Sequence, residues 1–123
     1  MKLHADTPTG SNVFTGYGEG YVLVNRQRFE RSMVVMPERL WTQWGASTFE
    51  ALIEDHFAAL ATLQCEVLLL GTGSRLRFPR PELTRPLAIA RIGLEVMDVP
   101  AACRTYNIVM AEGRKVAAAL LLP

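Results

Sequence analysis

The feature that most constrains the fold is a set of three short apolar segments in the second half of the chain, separated by stretches with helical character. The segments are EVLLLGTG (residues 66–73), LEVM (residues 94–97) and KVAAALLL (residues 115–122). The first is a continuous apolar run closed by glycines, which is typical of a strand covered on both faces. Each connection exceeds the roughly dozen residues that a crossover between parallel strands requires. We therefore predict three parallel strands with right-handed helical crossovers.

The two connections carry helix signals near their ends. Residues 84–92 form a helix-like stretch that stops before Gly93, a good C-cap residue. Asp98 is placed to cap the next helix, with Pro100 in its first turn and Gly113 just beyond its end. These signals predict one helix in each crossover.

The first third of the chain has β character. Residues 1–12 are rich in Thr, Pro, Gly, Ser and Asn and are expected to form a flexible arm, with residues 13–123 as a single domain. In YVLVNRQRF, Asn25 and Arg26 stand between two strand-like runs, and Asn tolerates the left-handed backbone of a tight hairpin turn. Up to Pro37 we predict a meander of three or four short antiparallel strands.

A helix is predicted to begin at Ser47, because Ser47 and Glu50 have the spacing of a capping box. Apolar residues then recur at helical spacing: Phe49, Leu52, Ile53, Phe57 and Leu60. The preceding loop carries Trp41 and Trp44. These two side chains either cover the core, which is the usual place of tryptophan, or anchor an interface.

Composition argues against several function classes. The 123 residues include 13 basic and 12 acidic side chains, so nothing recommends nucleic acid or an anionic membrane as an obligatory partner. The two cysteines and two histidines show no metal-ligand spacing, and we expect neither a metal nor another cofactor. The start lacks the apolar segment of a signal peptide, and the longest apolar run is far shorter than the roughly 20 residues that span a bilayer. We expect a soluble cytoplasmic protein.

Side chains able to bind or react follow the first two predicted parallel strands. Because ligands bind at the carboxyl ends of such strands, we predict a candidate cleft there. Its residues are Gly71, Thr72, Gly73, Ser74, Asp98, Cys103, Arg104 and Asn107. Arg104 would hold an anionic group, Asp98 or Cys103 would act as acid, base or nucleophile, and the glycine backbone would stabilise an oxyanion.

Each of these residues also has a structural interpretation, and we assign no catalytic residue. The glycines can form a tight turn, since they lack the full pattern of a phosphate-binding loop. Cys103 can be a small buried residue, because its candidate base, His56, belongs to another helix. Asn107 within a helix is expected to make a specific hydrogen bond, either to a neighbouring loop or to a ligand.

A local basic bias follows the Gly-Thr-Gly segment. It consists of Arg75, Arg77, Arg80, Arg85 and Arg91, with Glu82 among them. Such a run can contact phosphate or nucleic acid. Because Pro79 and Pro81 interrupt any regular face, we favour a solvated loop with internal salt bridges.

Three stretches of this sequence resemble the Mth-type domain family of unknown function. They are YVLVNRQRFERSMVVMP with the Trp-Gly loop after it, EVLLLGTG, and LEVMDVPAACRTYNIVMAEGRKVAAALL. That family includes a mitochondrial assembly factor of respiratory complex I and an adipogenesis-associated animal protein. The resemblance implies a three-layer α/β fold with a mixed central sheet, whose C-terminal half is parallel βαβαβ, plus an N-terminal antiparallel hairpin unit. It implies no established enzyme activity.

Two functions follow as alternatives. The first is a non-enzymatic protein-interaction or assembly module, which would use Trp41 and Trp44 or the front strands, and whose exposed edge strand could form a homodimer. The second is a binder of a small anionic ligand, or an enzyme, that uses the cleft at the strand ends. The lack of a recognisable acid–base pair favours the first, and a nucleic-acid role ranks third.

Overall fold

A computed structural model describes residues 10–123 as a five-stranded mixed sheet, a three-stranded antiparallel sheet and three helices. In chain order the elements are β1 (Phe14–Gly18), β2 (Tyr21–Val24), β3 (Gln27–Phe29), β4 (Met33–Met36), β5 (Arg39–Trp41), α1 (Glu54–Ala61), β6 (Val67–Gly71), α2 (Pro81–Ile89), β7 (Gly93–Met97), α3 (Val99–Ala111) and β8 (Val116–Leu120). The larger sheet has the strand order β5-β4-β8-β6-β7, and the smaller one β1-β2-β3. The predicted α/β fold with a mixed sheet is confirmed.

The parallel half of the larger sheet is centred on β6. This strand pairs in parallel with β7 on one side and with β8 on the other. Gly71, at the end of β6, is level with Met97 of β7 and Leu120 of β8. The carboxyl ends of all three strands therefore meet at one edge of the sheet, as predicted.

The β-rich front of the chain divides between the two sheets. Strands β1 to β3 form the smaller sheet, and its β2–β3 turn contains Asn25 and Arg26 with φ values of 52° and 70°. Both residues are left-handed, as a tight hairpin requires. Strand β4 instead pairs antiparallel with β8 and with the edge strand β5. The predicted single meander is thus split, because β4 extends the larger sheet.

Two apolar clusters cover the two faces of the larger sheet. Along β6, Val67 and Leu69 belong to the cluster shared with α3 and the smaller sheet, whereas Leu68 and Leu70 belong to the cluster shared with α1 and α2. All four side chains are buried. Successive strand residues point to opposite faces, so a continuous apolar run suits a sheet that is covered on both sides.

Helix α3 begins and ends where the sequence predicts. Asp98 is its N-cap, and the carboxylate accepts a hydrogen bond of 2.8 Å from the backbone N–H of Ala101. Pro100 lies in the first turn, where a backbone N–H would have no helical partner. Gly113 follows the C-cap with a φ of 83°. Local signals at both ends determine this helix.

Helix α1 begins at Glu54, so the predicted start at Ser47 is wrong. Glu50 closes no capping box with Ser47, because its carboxylate binds the Arg77 guanidinium at 2.6 Å. The backbone carbonyl of Ser47 accepts a hydrogen bond of 3.1 Å from the Ser32 hydroxyl. Long-range contacts thus hold this segment outside the helix, which starts only after it.

The start of α1 also changes the expected apolar stripe. Leu52, Phe57 and Leu60 are buried, whereas Ile53, the N-cap residue, is 52% exposed. The backbone N–H of Ile53 donates to Nδ1 of His56 at 3.1 Å. This imidazole therefore closes the first turn of its own helix.

Helix α2 starts and ends earlier than the predicted residues 84–92. Pro81 occupies its first turn, where a fixed φ suits the helix and no N–H is needed. The helix ends before Arg91, whose φ of 60° is left-handed. Gly93 is the first residue of β7 and not a helix cap. The left-handed position at this helix end is thus occupied by Arg91 and not by the glycine that the sequence pattern indicates.

The predicted arm, residues 1–12, lies mostly outside the described residues. Its last residue, Asn12, is bonded to three other segments. The Asn12 amide donates to the Met36 carbonyl at 2.9 Å, its side-chain carbonyl accepts from Asn25 at 2.8 Å, and its backbone carbonyl accepts from the Tyr106 hydroxyl at 2.9 Å. From Asn12 onward the chain is therefore tied to the rest of the fold.

Candidate functional site

A surface cavity of about 650 Å³ lies at the carboxyl edge of the parallel strands. One wall is the end of β1 and the turn to β2, and the other is the start of α3. It is lined by Tyr17, Gly18, Glu19, Gly20, Gly73, Ser74, Val99, Pro100, Leu121, Leu122 and Pro123. Of the predicted cleft residues, Gly73 and Ser74 line this cavity.

Gly71 and Thr72 hold the strand end together. A Cβ added at Gly71 would lie 2.8 Å from a methyl carbon of Leu120, so the glycine permits close packing. The buried Thr72 hydroxyl donates to the Arg75 carbonyl at 2.8 Å and accepts from the Arg77 backbone N–H at 3.1 Å. Gly73 is left-handed, with a φ of 105°. The segment is therefore a tight turn whose polar groups are largely used within the fold.

Asn107 and Asp98 both bind backbone groups. The Asn107 side chain is buried and bonds to both backbone polar groups of Phe14, at 3.0 and 2.8 Å. Asp98 caps α3 through Ala101. The specific hydrogen bond expected of Asn107 is thus made to β1, and the carboxylate of Asp98 serves its own helix.

Arg104 is the predicted cleft residue that reaches toward the cavity from α3. Its Nη1 donates to the Tyr17 hydroxyl at 2.7 Å, and its Cζ lies 5.9 Å from the centroid of that ring. Tyr17 lines the cavity, whereas Arg104 does not. The exposed guanidinium therefore stands beside the cavity wall with one of its N–H groups already engaged.

Cys103 lies in the apolar cluster between α3 and the sheet. The side chain is fully buried, and burial raises the pKa of its thiol to about 12, although the nearby Arg104 charge acts in the opposite direction. At neutral pH the sulfur is protonated and weakly nucleophilic. Its candidate base, His56, is on α1, which packs on the opposite face of the sheet. The structure therefore does not bring the two together.

The two tryptophans have different surroundings. Trp44 is 4% exposed, and its Nε1 donates to the His56 carbonyl at 3.0 Å. Trp41 is half-buried in the edge strand β5, with the Arg39 guanidinium 5.6 Å from its ring. Trp44 thus packs in the core, and only Trp41 offers surface to an interface. An interface at this strand stays a prediction.

Sequence reasoning did not identify Tyr17 and Glu19 as neighbours of the strand-end edge. They lie in and just after β1, 50 and 48 residues before the start of β6 at Val67. Nothing in their local pattern indicates that the small sheet packs beside α3. No group of three or more His, Cys, Asp or Glu side chains that could hold a metal ion occurs among residues 10–123.

Almost the whole described fold lies within a region that matches one protein family. Residues 14–121 match the family described as "Protein of unknown function (DUF498/DUF598)". The chain belongs to this family. The matched region includes every strand and helix given above.

Similar proteins agree with this assignment. Assembly factor 3 of the NADH dehydrogenase (ubiquinone) 1 alpha subcomplex from Bos taurus is 29% identical over 98% of this chain, which spans 66% of that protein, slightly less than two thirds. A crystal structure of a Bordetella parapertussis protein is 42% identical, with a TM-score of 0.86, and the match covers 94% of this chain and 98% of that one. A solution structure of a Bordetella pertussis Mth938-like domain is 38% identical, with a TM-score of 0.80 and coverage of 99% and 92%. The Mth-type family suggested by the sequence is confirmed.

One relative bears on location. A Francisella tularensis protein, 23% identical over 98% of this chain and 99% of its own length, is called a 13 kDa major membrane protein. Within residues 10–123 of the present chain, no helix has the length and apolar character needed to cross a bilayer.

Proposed function

We propose that this protein is a non-enzymatic interaction module that assists the assembly of a partner protein complex. The observation that carries the proposal is that polar groups of the predicted cleft are used within the fold. Asn107 binds Phe14, Asp98 caps α3, and the Thr72 hydroxyl closes its own loop. The amide, carboxylate and hydroxyl named here are thus bonded to the fold. Cys103 is held as a buried thiol.

The narrower form of this proposal is that the partner complex is a NADH dehydrogenase. The bovine relative is named for such an assembly role. Because this chain spans slightly less than two thirds of that relative, the role is proposed for the shared domain. A cytoplasmic location belongs to the same proposal, and so does a homodimer through an exposed edge strand. Cell fractionation and light scattering test these two points.

Deletion of the gene in its own host tests the proposal. We expect native gels stained for NADH dehydrogenase activity to show less of the complete complex and more of its partial assemblies, with recovery on complementation. Reciprocal tagging should recover the protein with subunits of the partial assemblies. Normal assembly in the deletion strain, with no complex subunit in either purification, would contradict the NADH dehydrogenase form of the proposal.

A second candidate function is the binding of a small anionic ligand in the cavity at the strand ends. The supporting observation is the cavity of about 650 Å³ lined by Gly73 and Ser74, with Arg104 held beside it through Tyr17. A thermal-shift screen against metabolite pools tests it. A ligand at 100 times its dissociation constant should stabilise the fold by about 2.7 kcal/mol. Ser74→Phe, which fills the cavity from an exposed position, should abolish a genuine shift.

A further inference from the structure

Residues 74–80, in the loop between β6 and α2, expose two large apolar side chains. Leu76 is 49% exposed and Phe78 is 71% exposed. Single exposed apolar residues are common on protein surfaces and need no explanation. Two on one short loop, both next to arginines in the sequence, form a local surface that is apolar and basic.

The residue between them, Arg77, is held against the protein. Arg77 turns toward the protein, where its Nη1 binds Glu50 at 2.6 Å and its Cζ lies 4.3 Å from the centroid of the Phe49 ring. The Arg77 backbone N–H and the Arg75 carbonyl are both bonded to the Thr72 hydroxyl. The loop is therefore anchored from the inside, and Leu76 and Phe78 are presented outward.

The loop and the helix after it also carry several exposed arginines that form no salt bridge in the part of the chain that the structure describes. Arg75 and Arg80 on the loop and Arg85 on α2 are exposed, and within residues 10–123 none of them forms a salt bridge. Glu82 is the acid among them, and Glu50 is paired with Arg77, although the Arg75 charge also helps to lower the pKa of the Glu50 carboxyl. The surface thus has an excess of positive charge, although the whole chain has a net charge of only +1.

The chemistry of this surface favours a lipid partner. The neighbouring cavity ends at Ser74 and includes neither Leu76 nor Phe78, so these side chains stand outside it. Apolar side chains that project beside arginines match the boundary of an anionic bilayer, where acyl chains lie just below negatively charged headgroups. An acidic protein would need an apolar pocket shaped to receive the loop.

We propose that loop 74–80 docks this protein on the surface of anionic lipid membranes. Leu76 and Phe78 insert among the headgroups, while Arg75, Arg80 and Arg85 lie against the lipid phosphates. The contact is peripheral and needs no spanning helix. The net charge of the whole chain led us to expect no anionic membrane partner. That net charge does not show the local excess of arginine around the loop. The membrane contact is independent of the proposed assembly role.

Vesicle sedimentation with the full chain tests the proposal. The probes are vesicles of phosphatidylcholine alone and vesicles of phosphatidylcholine mixed with phosphatidylglycerol. We expect binding to the anionic vesicles at low salt, weaker binding at high salt and none to the neutral vesicles. No binding to anionic vesicles at low salt would overturn the proposal.

Two double variants separate the contributions of charge and apolar insertion. Arg75→Gln with Arg80→Gln should weaken binding by about 25-fold, since each arginine near an anionic surface contributes roughly fivefold. Leu76→Ser with Phe78→Ser should weaken it by at least roughly tenfold. All four side chains are exposed or largely so, and thermal melts should show that both variants fold like the wild type. Unchanged binding by the serine variant would overturn the proposal.

Matched controls use the same chemistry elsewhere on the protein. Arg31→Gln changes an exposed arginine beyond β3, and Ile108→Ser changes an isoleucine on α3 that is 62% exposed. Both should bind vesicles as the wild type does, and an equal loss in these controls would refute a role for the loop. Full competition by soluble glycerol phosphate would assign the site to a free headgroup. Binding of a polyglutamate peptide without vesicle binding would assign it to an acidic protein.

Discussion

The side-chain amide of Asn107 pairs with Phe14 across 93 positions of sequence, accepting from the Phe14 N–H at 3.0 Å and donating to the Phe14 carbonyl at 2.8 Å. Strand β1 has β2 as its partner on one side. On the other side, Asn107 supplies the donor and acceptor that a further strand would offer. Helix α3 thereby fixes the small sheet against the large one.

Replacing Asn107 by leucine should destabilise the protein strongly. The buried N–H and carbonyl of Phe14 would lose their partner, and each unsatisfied group costs about 1–3 kcal/mol. We expect the free energy of unfolding, measured in urea, to fall by about 2–5 kcal/mol. Ile108→Ala, one residue along and mostly exposed, is the control and should change it by less than about 0.5 kcal/mol. Equal stability of Asn107→Leu and wild type would contradict the structural role.

Gly71→Ala should destabilise the protein because the new methyl group has no space. Its carbon would lie 2.8 Å from Leu120 and 3.3 Å from Ala102. Such overpacking costs about 1–3 kcal/mol, measured by chemical denaturation. Gly93→Ala at the start of β7 is the matched control, since its Cβ would meet the nearest atom at 3.5 Å, an ordinary contact. If both variants lost the same stability, the close packing at Gly71 would not be the reason.

Stability should decline in alkaline solution because of Cys103. Burial raises the pKa of this thiol to about 12, whereas an unfolded cysteine titrates near about 8.5. Between these values the unfolded chain has released a proton that the folded chain keeps, so rising pH favours unfolding. The effect approaches about 1.4 kcal/mol per pH unit. Burial also raises the pKa of Tyr106, which acts in the same direction at higher pH.

Denaturation midpoints of the wild type and Cys103→Ala between about pH 8.5 and 10.5 check this prediction. The alanine variant loses some stability at every pH, because it leaves a small cavity. Its dependence on pH should nevertheless be shallower than that of the wild type. If the midpoints of the two proteins fell equally with pH, the ionisation of the Cys103 thiol would not be coupled to unfolding.

Asp98 variants should distinguish a helix cap from an acid or base. Asp98→Ala removes the acceptor for the Ala101 N–H and should cost about 1 kcal/mol of unfolding free energy. Asp98→Asn keeps a capping oxygen and should stay within about 0.5 kcal/mol of the wild type. A ligand shift found in the screen described above should survive Asp98→Asn. Its loss in this well-folded variant would assign the carboxylate to the ligand.

Sequence reasoning succeeded where structure is determined locally. Helix α3 was predicted at both ends because Asp98, Pro100 and Gly113 act within one or two turns of their positions. The parallel strands followed from apolar runs long enough to cover two faces of a sheet. The start of α1 was wrong because Glu50 is bound by Arg77, 27 residues away, and no local pattern records that competition.

The candidate site was harder to predict for a related reason. The edge of the sheet was identified correctly, since strand ends follow from topology. The use of each side chain there depends on the small sheet, which packs against α3 through contacts between distant residues such as Asn107 and Phe14. A specific hydrogen bond was predicted for Asn107, but its partner, Phe14, lies 93 positions away and leaves no local signal.

The position of β8 has a consequence for how the molecule forms during synthesis. This strand is the last of the described elements to be made, yet it lies between β4 and β6 in the larger sheet. Until residues 116–120 have left the ribosome, no strand pairs β4 with β6, so the facing edges of the β4–β5 and β6–β7 pairs lack their hydrogen-bonding neighbour. A nascent chain of this protein therefore stays open to chaperones, or to pairing with another chain, until β8 arrives.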